Sequence, residues 1–308
     1  MKKIATLLCV LILMLTSFAV ISQYPRGDVD QNGQVNIADV TTLVDYLLTG
    51  NWEGTPENPD ASQTIDFTVN GVSFTMVTVD GGTFMMGATD EQVSDAYDIE
   101  LPAHQVTLTS YCIGKTEVTQ ELWLAVMGSN PSYFSSANGF DTNLQRPVER
   151  VSWNDCRQFV RKLKELTGLP FRLPTEAEWE FAARGGRYSQ GYKFAGSNTI
   201  GEVAWYNGNS YNTDGGSSTD YATHAVATKA PNELGLYDMS GNVWEWCNDW
   251  LDVYNTDYQL DPTGPAEGGG KVYRGGSFYR NERDCRVSVR FNITPSTTSG
   301  QRGLRLAL

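Results

Sequence analysis

Histidine is nearly absent from this 308-residue chain: His104 and His224 are the only two, far apart. A non-haem iron centre built from two histidines and a carboxylate is therefore excluded in its ordinary form. His104, two residues after Pro102 and beside a strand-like run, reads as structural. Basic residues are also scarce, with 23 Lys and Arg against 36 Asp and Glu. Such an excess of negative charge repels phosphate backbones, so nucleic acid is excluded as a partner. Cysteine is sparse, with five in all, and Cys9 lies inside an apolar run. Outside the first 22 residues no stretch is long and apolar enough to span a bilayer, and no internal repeat is visible.

What is present begins with that apolar run. Lys2 and Lys3 precede Ile4–Val20, and Val20-Ile21-Ser22 supplies small residues for cleavage, so residues 1–22 read as a secretory signal. The expected location is secreted, extracellular or periplasmic, with no membrane-spanning segment after cleavage. Loss of the two lysines deepens the net charge from −13 to −15. Cys112, Cys156, Cys247 and Cys285 then remain, and four cysteines allow three fully paired connectivities among which spacing does not choose.

Residues 27–50 form a unit of their own. Asp28, Asp30, Asn32, Asn36 and Asp39 place oxygen side chains at positions 1, 3, 5, 9 and 12 of a twelve-residue calcium loop. Gly33 stands at the sharp turn and Gln34 offers its carbonyl. Val40, Leu43, Val44, Leu47 and Leu48 follow at helical spacing. The alternative is an acidic turn that binds nothing. This loop and helix resemble one repeat of a dockerin, which normally has two. Cohesin recognition is thus the weaker expectation, and the apolar stripe needs some other surface to cover it.

Residues 51–64 carry Gly, Pro, Asn, Ser and Thr without apolar period and read as a linker. Beyond it, Phe67–Val79 and Val106–Ile113 read as strands. Helices are predicted over Thr119–Met127, over Cys156–Leu166 with Asn154 or Asp155 as cap, and from Thr175, where Thr175 and Glu178 form a capping box. From residue 185 onward Gly, Asn, Ser and Tyr dominate and regular structure thins. The predicted class is α+β and irregular.

Five motifs carry a resemblance. They are Gly81-Gly82-Thr83-Phe84-Met85-Met86-Gly87, Lys115-Thr116-Glu117-Val118-Thr119, Pro147-Val148-Glu149-Arg150-Val151-Ser152-Trp153, Arg172-Leu173-Pro174-Thr175-Glu176-Ala177-Glu178-Trp179-Glu180, and Gly235–Trp246 followed by Arg274-Gly275-Gly276-Ser277. In this order they resemble the formylglycine-generating enzyme (sulfatase-modifying factor) family, which implies a C-type-lectin-like domain over residues 65–308. Enzymes of that family bind copper through two cysteines after the Gly-Gly-Ser. Here Arg280 occupies the first position and Cys285 is an ambiguous second, while Ser277 and Trp244 are retained. Gln301 replaces the active-site asparagine. A guanidinium cannot replace a thiolate, so copper and catalysis are disfavoured, and the alternative remains an oxidoreductase acting on a peptide cysteine.

The resemblance further implies a structural calcium held by Asp238 and Glu245 side chains and by the Gly241 and Val243 carbonyls, and a Cys247–Cys285 disulfide. Phe278–Gln301 resembles the variable segment of diversity-generating-retroelement proteins, a branch of the same fold. Arg283, Cys285, Arg286, Val287, Ser288 and Arg290 match the family. They alternate with Tyr279, Arg280, Asp284, Val289, Phe291 and Ile293, which do not. The expected ligand site is Phe278, Tyr279, Arg280, Asn281, Asp284, Val289, Phe291, Ile293 and Gln301, facing a protein or cell-surface glycan.

Overall fold

The computed structural model describes residues 63–140, 142–210 and 221–308. The signal segment and the calcium-loop residues Asp28, Asp30, Asn32, Gln34, Asn36 and Asp39 lie outside the described residues. Ser62–Leu308 forms one compact unit.

The chain opens with a hairpin of β1 (Thr64–Val69) and β2 (Val72–Val79), turned at Asn70-Gly71, so the expected linker ends before Thr64. β3 (Gly82–Met86) pairs with β4 (His104–Leu108), and β5 (Tyr111–Gly114) pairs with β2. The single strand predicted over Val106–Ile113 is therefore two, in different sheets. It breaks at Thr109-Ser110 because Asp261 accepts from the Thr109 amide at 2.7 Å and Ser110 Oγ accepts from Gly81 N.

Helix α1 (Gln120–Met127) starts where Thr119 accepts the Leu122 amide. In α2 (Trp153–Thr167) the cap is Ser152 rather than Asn154 or Asp155; Asp155 instead closes a capping box from the third position. Gly168, at φ 74°, ends it. In α3 (Glu176–Ala183) Thr175 and Glu178 make the predicted box, and all eight residues are buried. A short α4 (Ile200–Val203) follows. The remaining strands are β6 (Trp244–Trp250), β7 (Gln259–Leu260), β8 (Lys271–Arg274), β9 (Arg290–Ile293) and β10 (Arg302–Gly303).

Three small sheets result, ordered β1-β2-β5, β3-β4-β7 and β10-β6-β8-β9. The last is the platform for the site. Its register aligns Glu245, Arg274 and Arg290 on one rung and Trp246, Tyr273 and Phe291 on the next, so these rungs face opposite ways. One face packs Cys247 and Val272 into a core with Trp179, Phe181 and Val106. The other packs Trp246 against Phe159, Leu163 and Leu304, with Tyr273 and Ile293 at the margin.

Charge is buried along with the apolar groups. Glu180 accepts from Gly87 N and Arg184 and pairs with Arg274; Glu176 takes Arg290 at 2.6 and 2.7 Å; Glu100 takes Arg286 at 2.6 Å. In the Glu180–Arg274, Glu176–Arg290 and Glu100–Arg286 pairs both partners are at 5 % exposure or less. A buried guanidinium needs that partner, because an unpaired ion in a low-dielectric interior costs several kcal/mol, roughly 3–5 when one partner is removed.

Candidate functional site

The glycines before the site set its shape. Gly275 and Gly276 both have positive φ, and a Cβ on Gly276 would lie 2.5 Å from Cys285 Sγ. The chain then turns so that Phe278 N donates to Asn242 O at 2.7 Å, and Phe278 packs edge-on to Phe134 at 5.1 Å. Tyr279 and Arg280 emerge on the surface, Tyr279 with 54 % of its area exposed. A 3-10 turn over Glu282–Cys285 begins at Asn281, whose side chain accepts the Asp284 amide.

The expected ligand set therefore divides. Tyr279, Arg280 and Asn281 are exposed; Phe291, Ile293 and Gln301 are half-buried. Phe278, Asp284 and Val289 are buried and do not belong to a contact surface. Asp284 accepts the Tyr97 hydroxyl at 2.8 Å. Val289 is held inward because Arg274 donates to the Ser288 and Val289 carbonyls, each at 2.7 Å. The alternation of family-like and unfamiliar residues is thus only partly an alternation of inside and outside.

Residues the sequence did not flag complete the face. Tyr273 and Phe291 stack at 6.2 Å, Tyr97 meets Phe291 at 5.5 Å, and Trp244 lies edge-on to Tyr273 and Phe291 at 5.1 and 5.7 Å. The Arg302 guanidinium lies 5.2 Å from the Tyr273 ring and 5.4 Å from Trp246. Burial pushes the Tyr273 phenol up, opposed by Arg302 and Arg280, and burial pushes Arg302 down, with Arg280 adding repulsion. Tyr273 and Arg302 had a signal in strand register, since they share a face with Phe291. Tyr97 had none, because its turn is distant in sequence.

The copper reading finds no support in the residues present. Cys285 is fully buried with Phe194, Ile200, Val203 and Ala204, and burial pushes its thiol far above the usual range. Arg280 stands where the first thiolate would be needed. Ser277 Oγ donates to Gln301 Oε1 at 3.1 Å, so the retained serine serves a hydrogen bond within the site floor. Cys247 and Cys285 are not bonded to each other in this structure and pack in separate apolar clusters.

For the calcium set the geometry is mixed. Asp238 is buried at φ 59°, with Oδ2 accepting Ala227 N and Oδ1 without a partner. Gly241 must be glycine, since a Cβ there would lie 2.3 Å from Trp205 O. Glu245, however, is gripped by Arg305 at 2.7–3.1 Å and by the Trp179 indole at 2.7 Å. A third carboxylate that the sequence reading did not assign, Glu117, accepts from Asn242 Nδ2 and Val243 N. Burial raises Asp238 to about 6 and, with Asp238 beside it, pushes Glu117 well up. Among the described residues no group of three or more His, Cys, Asp or Glu side chains is disposed to hold a metal. With Glu245 committed to Arg305, the four expected ligands do not fit one cation.

Similarity to known proteins agrees with this architecture. A sulfatase-modifying factor enzyme 1-like domain matches residues 67–308. The chaperone protein LppX of Paenibacillus barcinonensis is 33 % identical over 276 residues, spanning 76 % of this chain and 89 % of that protein. The formylglycine-generating enzyme of Thermomonospora curvata is 31 % identical over 293 residues, spanning 75 % and 92 %. Among solved structures, Treponema denticola variable protein 1 superposes with a TM-score of 0.68 at 37 % identity, covering 79 % of this chain and 98 % of that one. With its irregular α+β architecture, buried arginine–glutamate frame and family-wide match, the chain belongs to the sulfatase-modifying factor family and has its C-type-lectin-like fold.

Proposed function

We propose that this chain is an exported, non-catalytic member of its family that binds a protein or glycan through the sheet face around Tyr279, Arg280, Tyr273, Phe291 and Arg302. One observation carries the reading: where the family's enzymes need a thiolate, an exposed arginine follows exposed Tyr279, whose ring meets Tyr221 and Phe278, on a frame of buried ion pairs. Rigid aromatic and arginine side chains provide contact area at low entropic cost, which suits recognition. The likeness to a variable protein supports the same use of the fold. Export rests on the sequence of residues 1–22 alone.

The test has two arms. Copper-loaded protein incubated with a Cys-x-Pro-x-Arg peptide under oxygen should yield no aldehyde by mass spectrometry; turnover abolished by Cys285→Ser would overturn the reading. In the second arm, Tyr279→Ala with Arg280→Ala should remove binding to a hit from a glycan and cell-surface-protein screen. Tm should stay within about 2 °C, as for exposed positions generally. The calcium loop at Asp28–Asp39 is a separate proposal: Asp28→Ala with Asp30→Ala should abolish calcium-dependent hydrogen-exchange protection of residues 28–48.

A further inference from the structure

We infer that the groove between α2 and residues 171–173 is a second binding site, built on other elements than the face around Tyr279, and that it takes a small organic polyanion.

A strongly acidic chain has gathered four of its cations in one hollow. Asp and Glu outnumber Lys and Arg by 36 to 23. Yet this cavity of about 480 Å³ is lined by Arg157, Arg161, Lys164 and Arg172 and by no carboxylate. Two other cavities mix their charges: one sets Lys115 with Glu117, the other sets Glu176, Asp249 and Asp252 beside Arg290. Buried Val160, Phe171 and Leu173 give the groove an apolar floor. Its size, with an apolar base and convergent polar groups above, suits a small molecule.

Arg157, Arg161 and Lys164 stand at i, i+4 and i+7 of α2, so they share one face and spread over about 10 Å of helix axis. Lys164 lies in the last turn, where it offsets the helix dipole, an explanation that does not reach Arg157 or Arg161. The nearby acids leave most of this charge unanswered. Glu178 neutralises Arg172 through bonds of 2.6 and 2.7 Å. Asp155 closes the Ser152 cap, and Asp249 accepts the Glu176 amide at 2.9 Å. Glu165 meets Arg161 only at 3.9 Å with both side chains largely exposed, a pairing worth little. Arg157 and Lys164 have no ion pair among the described residues. The Arg157 guanidinium lies 5.0 Å from the Trp153 ring, which also carries the buried Lys271 ammonium at 4.3 Å. Lys271 in turn donates at 2.7 Å to the carbonyl of Asn248, a residue of the groove wall. Two cations thus share one indole at this end.

A guanidinium fork suits carboxylate, sulfate or phosphate oxygens, and cations in line suit a ligand with two or more such groups. The rest of the surface limits its length. A long polyanion leaving the groove would meet the acidic excess of the chain, so a short ligand that ends within the groove is favoured.

The experiment titrates the full chain calorimetrically, in calcium-free buffer, with tricarballylate, inositol hexakisphosphate, a trisulfated disaccharide and neutral glucose. At least one polyanion should bind with a Kd below about 1 mM at about 50 mM NaCl, and glucose should not. Which one binds tells carboxylate, phosphate and sulfate sources apart. Affinity should fall severalfold by about 300 mM NaCl. Arg157→Gln with Lys164→Gln should weaken binding about tenfold, and Arg157→Glu with Lys164→Glu should abolish it, in chains whose Tm shows them folded. Lys162→Gln removes the same charge from an exposed position of α2 outside the groove, and should change affinity by less than about twofold. Equal weakening by Lys162→Gln and Arg157→Gln would make the attraction diffuse and overturn the site. Binding of long heparin or phosphatidylserine vesicles without any of the three small polyanions would overturn the ligand class, and binding of none of these would overturn the inference whole.

Discussion

On the inner rung of the four-stranded sheet, Arg274 and Arg290 are buried and answered by Glu180 and Glu176; on the other face, Arg302 lies over the Tyr273 and Trp246 rings with no ion pair among the described residues. The same residue type, one strand position apart in facing, does opposite work. Inside, each guanidinium also satisfies backbone carbonyls: Arg274 binds those of Ser288 and Val289, and Arg290 binds those of Ile99 and Asp252. These bonds hold together loops with little regular structure. Outside, Arg302 makes a single side-chain hydrogen bond, to Thr297 O, and Arg280 is exposed with no ion pair among the described residues. The comparison teaches that a loop-rich chain can be made rigid by buried ion pairs, leaving its outer face free to vary.

Breaking the inner side should have the largest effect. Glu180→Ala leaves Arg274 and Arg184 without their shared acid, and we expect a loss of about 3–5 kcal/mol in urea unfolding, or failure to fold. A loss below about 1 kcal/mol would mean that the network does not carry the frame. A smaller effect concerns Glu149, which is fully buried, accepts the Phe134 amide, and is raised by burial to about 7. An acid whose folded pKa lies above its unfolded value of 4.5 holds its proton more tightly when folded. Its contribution is therefore complete below pH 4.5 and is lost as pH rises through about 7. Glu149→Gln should flatten this fall and gain roughly 1–3 kcal/mol at pH 8 relative to wild type. Parallel stability–pH curves for the two proteins would refute it. Asp249, raised to about 7 by burial and by Glu176, adds a fall in the same direction.

Much of the inner side was legible in the sequence. The Thr175–Glu178 capping box, the Gly168 stop and the Thr119 cap depend on neighbours within four residues, so local chemistry specifies them. For the segment 278–301, which side chains face outward was not legible. Val289 and Asp284 look variable because their chemistry is unfamiliar, whereas their burial is decided by Arg274 and Tyr97, remote in sequence. The missed residues Tyr97, Tyr273 and Arg302 join the face only through strand register and a distant turn. The expected disulfide depends on the same long-range packing: Cys247 packs in the core behind β6, while Cys285 sits in another cluster beneath Gly276, which favours unpaired thiols. Alkylation in denaturant without reductant should accordingly label Cys112, Cys156, Cys247 and Cys285 alike, and dithiothreitol should leave Tm unchanged. A reductant-sensitive Tm would restore the bridge.

The smallest expected effect sharpens the comparison most. Tyr279 touches Phe278 and Tyr221 at its ring edges but keeps more than half its surface in solvent, and Arg280 has no ion pair among the described residues. Truncating them removes little buried apolar area and strands no buried polar group, the two routes by which single changes become costly. Tyr279→Ala and Arg280→Ala should each shift stability by no more than about 0.5 kcal/mol in urea unfolding. They also lie apart from the inner ion pairs. Combining either with the milder Glu180→Gln should therefore give additive losses within about 0.5 kcal/mol. If the double mutants are non-additive by more than about 1 kcal/mol, the two sides are mechanically coupled, and the outer face cannot vary independently of the frame beneath it.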